Sequence, residues 1–168
     1  MTLNSTLALA VFAEQASALD LGSGSFPFRL QRSVQLSSGT GAGQADRVFT
    51  DRRTLAASAT EDLDLAGVLL DAFGSTITFA RIKGLAIAAA ATNVNNVVIG
   101  ADATAPWATL LNSTGTLTLR PGGSFAAIAG VADTGYAVTA TTGDILQVAN
   151  SGAGTSVTYD ICIIGTSA

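Results

Sequence analysis

The chain has 168 residues, a formal net charge of −4 and a single cysteine. That length suits one domain able to bury roughly 70% of the surface its unfolded form exposes, and a lone cysteine excludes an intramolecular disulfide. Only 12% of residues are charged while 48% are apolar, against roughly a quarter charged in ordinary soluble domains. Much of the surface is therefore small and neutral, as surfaces lying against other subunits are. The eight basic residues are scattered apart from the pair Arg52-Arg53, so no basic patch exists to drive nucleic-acid binding by counterion release. No uninterrupted apolar run reaches the roughly 18 residues a transmembrane helix needs. No positive charge precedes the apolar residues 7–13, so the expectation is no secretory signal and no membrane partner.

In chain order, residues 2–21 fit two patterns. Leu3, Leu7, Val11, Glu14, Ala18 and Leu21 approach helical spacing, while Leu7, Leu9 and Val11 alternate as in a strand, and both readings stand. Residues 19–25 (LDLGSGS) read as a linker. The expected division is thus an N-terminal arm or edge segment over residues 1–25 and a β-sandwich domain over residues 26–168. Phe26, Phe28, Leu30, Val34 and Leu36 share one parity with Arg32 the only intruder, which predicts an amphipathic strand. Residues 37–44 (SSGTGAGQ) predict a flexible loop. Short strands are expected in residues 45–55 and 58–65, and a turn closed by Gly74 after Leu69. Residues 76–91 form the longest candidate strand, but its parity conflicts: Arg81 and Lys83 fall with Ile77, Phe79, Leu85 and Ile87, and Ile82 falls opposite. A bulge near Arg81 resolves this, and so does burial of both faces at the strand ends.

Thr92 to Asn96 supply turn residues, a strand over residues 97–100 follows, and Pro121-Gly122-Gly123 makes a tight turn between strands. Further strands are expected over residues 136–140 and 144–150. In residues 156–164 (SVTYDICII), Val157, Tyr159, Ile161 and Ile163 alternate with Ser156, Thr158, Asp160 and Cys162, the pattern of a strand with one buried face. Strands recurring every eight to twelve residues with Gly-rich turns predict an all-β fold, a jelly-roll-like antiparallel β-sandwich of about eight to ten strands with this closing strand central. The expected core is Phe28, Leu30, Val34, Leu63, Leu65, Phe79, Leu117, Leu119, Ile145, Val157, Tyr159, Ile161 and Ile163.

Chemistry-bearing residues are sparse. With no histidine, a Ser-His-Asp or Cys-His site is impossible, and the expectation is no enzyme, no catalytic residue, no metal and no cofactor. Asp62 and Asp64 share a strand face without an oxygen-rich loop around them, which favours a solvated face over a calcium site. Asp102, Asp133 and Asp144 sit near turns, as Asp does when it binds local backbone. Cys162 reads as a small core or sheet-face thiol. Three residues stand as candidate interface positions. Arg52 and Arg53 point to opposite strand faces, one to bridge a carboxylate and one to reach a partner, and Trp107 is either an interface anchor or a lid on the sandwich end.

The segments DRRTLAASATEDLDLAG at residues 51–67, Ala91-Thr92-Asn93, Asn95 to Gly100, Arg120-Pro121-Gly122-Gly123 and DTGYAV…GDILQVANSGAGTSVTYDICIIG near the end carry a resemblance. In these phrases the chain resembles small structural proteins of tailed-bacteriophage particles, from about Asp46 to the C-terminus. The resemblance implies a virion protein on the capsid surface, assembled in the host cytoplasm. Its expected role is a decoration or cement protein that binds and stabilises the major capsid shell, with the major capsid protein as partner and a homotrimer as its own assembly. The alternatives are a tail, fibre-base or head-fibre component, or a carbohydrate-binding β-sandwich module using Trp107 and Tyr136.

Overall fold

The computed structural model describes residues 2–168. Fourteen strands and one short helix follow in chain order. They are β1 (Ser5–Leu19), β2 (Gly22–Ser38), β3 (Gln44–Ala45), β4 (Arg47–Leu55), β5 (Thr60–Asp64), β6 (Leu69–Leu70), β7 (Thr76–Ile77) and β8 (Arg81–Ala89). Then come β9 (Val97–Gly100), α1 (Ala108–Leu111), β10 (Thr116–Leu119), β11 (Ser124–Ile128), β12 (Tyr136–Ala137), β13 (Ile145–Asn150) and β14 (Val157–Thr166).

Two antiparallel sheets form the body, one in the order β11-β8-β14-β4 with β12 added on β8, the other β10-β9-β13-β5. Number the eight principal body strands (β4, β5, β8, β9, β10, β11, β13 and β14) from first to eighth. The first sheet then reads first-eighth-third-sixth and the second reads second-seventh-fourth-fifth. That alternation of strands between two sheets is the jelly roll, two Greek keys closed on each other. The predicted fold class is the observed one, and β14 lies centrally between β8 and β4 as its alternation required.

The core lies between the sheets. Leu63, Leu65, Phe79, Leu119, Val157, Tyr159, Ile161 and Ile163 are all buried in it, joined by Ile87, Ile99, Leu146 and Val148. Five residues of the expected core differ. Phe28 is 46% exposed, and Leu30 and Val34 are half-buried, because β2 leaves the sandwich instead of completing it. Ile145 is half-buried because β13 turns the other parity inward, through Leu146, Val148 and Asn150. Leu117 is half-buried on β10, the edge strand of its sheet.

The parity conflict of β8 resolves as a bulge. Ile164 of β14 faces Gly84 and the next residue, Gly165, faces Ile82, so Lys83 is the extra residue. The bulge, two residues beyond Arg81, brings Ile82 into phase with Leu85, Ile87 and Ala89, all buried. Lys83 is buried at the bulge and its Nζ donates to the Asp133 carbonyl at 2.8 Å. Burial pushes its pKa down from the ordinary lysine value.

Turn chemistry follows the sequence closely. Gly123 N donates to Arg120 O at 2.7 Å around Gly122, whose φ of 75° only glycine adopts freely. Asp71 Oδ1 accepts from Phe73 N and Ser75 N, both at 2.9 Å, closing the β6–β7 turn. Asp133 accepts from Gly135 N and Asp144 from Thr141 N, each at 2.7 Å. Residues 37–44 are not a loose loop: Ser37 N donates to Gly43 O, Gly39 N to Ala45 O, and Gly41 N to the Gln44 side chain.

Asp102 carries the most consequential turn. Its buried carboxylate accepts from Ala105 N at 2.6 Å and Thr104 N at 2.7 Å. These donors, Ala105 first, hold the carboxyl below the usual range despite opposing desolvation. Asp102→Ala leaves both donors unmatched and is expected to cost about 1–3 kcal/mol near neutral pH. A depressed carboxyl contributes stability above its unfolded pKa and loses it as pH falls through the folded value. The difference between wild type and variant in urea midpoint should therefore shrink below about pH 4. A constant difference across that range would remove the carboxylate from the explanation.

Candidate interaction surface

The N-terminal segment settles as a strand, and its partner is β2. β1 and β2 pair in unbroken antiparallel register from Ser5↔Leu36 to Leu19↔Gly22, joined by the turn Asp20-Leu21. The expected linker at residues 19–25 is thus the tip of this hairpin. Gly22 and Gly24 are strand residues with no left-handed φ, and Gly24 packs under Leu19. The expected boundary between residues 25 and 26 falls inside β2.

Paired residues of an antiparallel ladder share a face and alternate along the strand. One hairpin face therefore carries Leu7, Leu9, Val11, Ala13 and Leu19 of β1 with Val34, Leu30, Phe28 and Phe26 of β2, interrupted by Arg32 opposite Leu9 and by Gln15 and Ser17 toward the tip. The other carries Ala8, Ala10, Phe12, Glu14, Arg29, Gln31, Ser33 and Gln35. The first face is mainly apolar, with Arg32 its one charge, and the second is mainly polar and small apart from the exposed Phe12.

The root of the apolar face is seated on the body. Leu7, Val34 and Leu36 pack with Ile164, Ala45, Val48 and Cys162 on the outer face of the larger sheet. Gly84 makes room for this seat, since a Cβ there would meet Leu7 Cδ2 at 2.7 Å. Cys162 is the sheet-face thiol expected of it, and burial raises its pKa. Beyond Leu9 the hairpin has no seat. Leu9 (46%), Val11 (44%), Phe28 (46%), Leu19 (63%) and Phe26 (67%) stay exposed on one continuous face. Isolated two-stranded hairpins are marginal in water, so an overhang of this length needs cover.

The neighbouring outer sheet face carries mostly small, neutral side chains around the Arg52–Asp160 pair. The register lines up Arg52, Asp160, Ala88 and Ser124 in one row and Thr50, Cys162, Ala86 and Ala126 in the next. A cleft of about 430 Å³ opens between this face and Leu9 of the hairpin.

The predicted site residues are distributed as follows. Arg52 lies on that outer face and donates twice to Asp160, at 2.6 and 2.8 Å. This bond holds the exposed Asp160 carboxyl below the usual range. Arg53 points the other way, as expected, but also finds carboxylates: Glu61 at 2.9 Å and Asp51 at 3.3 Å. Glu61 in turn accepts from the buried Tyr159 hydroxyl at 2.6 Å, and burial, then Glu61, push that phenol up. Trp107 is corrected from the anchor reading. It is 5% exposed, its indole N–H donates to Ala137 O at 2.9 Å, and it meets Tyr136 edge-on. The loop after Pro106 folds it inward as the lid of the sandwich end. Asp62 accepts from Gln147 Nε2 and Asp64 from Ala66 N.

No family model, curated protein or solved structure matches the chain. The functional reading therefore rests on these residues. The apolar hairpin face is the surface that reading the residues one segment at a time missed. Its signal was present: two period-two apolar runs, through Leu7-Leu9-Val11 and through Phe26-Phe28-Leu30, flank a Gly/Ser-rich turn, which is a hairpin signature.

Proposed function

We propose that this chain is a structural protein of a tailed-bacteriophage particle, a decoration protein that binds and stabilises the major capsid shell as a homotrimer. The observation that carries the reading is the seated hairpin, a folded body holding out a mainly apolar arm face that its own core leaves bare. A jelly-roll body with a small, neutral outer face and with Arg52 and Arg53 paired to carboxylates suits a part held by neighbours. The resemblance of residues 51–67 and of the C-terminal phrases to virion proteins favours the same reading. The proposed role needs no cofactor, and threefold linkage raises avidity by roughly 10²–10⁴ without new chemistry.

Cryo-electron microscopy of the particle is the test. Density for this chain at local threefold positions of the shell is expected. Density confined to the tail would replace the decoration role with a tail or fibre-base role, and none on the particle would end the virion reading. The carbohydrate-binding alternative loses its platform, because Trp107 is buried and Tyr136 is half-buried against it.

A further inference from the structure

We infer that the overhanging hairpin face is covered by the same face of a second copy of this chain, so that the arms bundle and hold the copies together. Twelve ladder rows, Ala8↔Ser33 to Leu19↔Gly22, extend beyond the seated root, a ribbon about 40 Å long and only two strands wide. Five of its side chains, 44% to 67% exposed, leave on the order of 500 Å² of apolar surface, near the top of what a monomer leaves bare. With the adjoining strand edges, this approaches the roughly 800 Å² per partner of a standard stable interface.

Three features favour a copy of the arm as the occupant. The strip is continuous with the seat that Leu7, Val34 and Leu36 already make on the body, so its chemistry is that of an apolar protein surface. A long, narrow ribbon is matched best by another ribbon of equal length, as two sheet faces stack at about 10 Å. The strand edges are also complementary. Glu14 is the only charged residue of β1, and Arg29 and Arg32 are the only ones of β2. Within one hairpin Glu14 lies two rows from Arg29, so setting β1 of one arm beside β2 of the next in the same register would bring opposite charges near each other. Both edges are otherwise unpaired except where Ser37 and Ser38 meet β3, which is the condition that invites edge pairing. On the opposite face the one large apolar side chain is Phe12, 62% exposed, with the Arg29 guanidinium 5.9 Å from its ring centre.

Self-association rests on these surface features alone, while three copies as the number rests on the proposed decoration role. The test is sedimentation equilibrium of the purified full-length chain without shells, with Trp107 emission as a separate report that the body is folded. Wild type is expected to sediment as a multiple of 16.8 kDa. Val11→Ser with Phe28→Ser should weaken association about 100-fold or more. Phe12→Ser, on the other face, should leave it unchanged. A wild-type monomer at about 100 μM overturns the inference. An oligomer that survives the double substitution, or one that Phe12→Ser disrupts equally, also overturns it. Because no shell is present, failure here leaves the capsid reading to its own experiment.

Discussion

Ile161→Ala is expected to lower the stability of the body by about 2–5 kcal/mol. Ile161 is 3% exposed on β14, paired on one side to Asp51 and on the other to Ile87, so truncation opens a cavity that two flanking strands hold apart. Urea denaturation followed by Trp107 emission measures it, since the tryptophan belongs to the same core. A loss below about 0.5 kcal/mol would mean that Ile161 does not face the core. Cys162→Ala, one residue on, lies under the hairpin root on the opposite face. Its effect should be much smaller, so the pair of variants reads the parity of β14 directly.

Gly165→Ala is expected to destabilise at the upper end of the roughly 1–3 kcal/mol range for overpacking. Gly165 is the β14 residue just past the register shift created by Lys83. A Cβ there would run into the Arg81 carbonyl oxygen and stand 2.8 Å from Phe79 Cδ1. The obstacle is backbone in a paired strand and a buried ring, neither able to swing away as a surface side chain does. The denaturant midpoint should fall with little change in slope. Gly74→Ala offers a useful contrast: nothing lies within 4 Å of its Cβ position, so its cost comes only from a φ of 82°. If Gly165→Ala were as stable as wild type, β14 would have to pair with β8 in a different register.

Most of the fold was legible because an antiparallel sandwich buries one face of each strand, which writes a period of two into the chain. β14 displays it through Val157, Tyr159, Ile161 and Ile163, and the Asp and Gly turns have local chemistry that neighbouring residues suffice to specify. β13 shows where the pattern misleads. Ile145, Leu146 and Val148 offer apolar residues on both parities, and only the second lies inward, toward the other sheet. Trp107 shows a second limit. A loop tryptophan after proline reads equally well as anchor or lid, and the inward fold of that loop over Tyr136 depends on strands distant in sequence.

The interaction surface was half legible. Residues 26–36 declared an apolar strand face, and Arg52 and Arg53 declared opposite directions. Alternation states only that a face wants cover, with no mark to say whether the cover is the chain's own second sheet or another molecule. That is why Phe28 reads as core from its spacing although it stands 46% exposed.

By itself, the sequence determined the all-β class, the positions of the turns and the inward residues of the closing strand, because these follow from side-chain periodicity and backbone preferences acting over a few residues. The tertiary structure alone decided three further things: the bulge at Lys83, the pairing of Arg52 and Arg53 with their carboxylates, and the departure of β1 and β2 from the body as an arm. Each of these depends on which distant strand lies alongside, a long-range registration that local patterning leaves open.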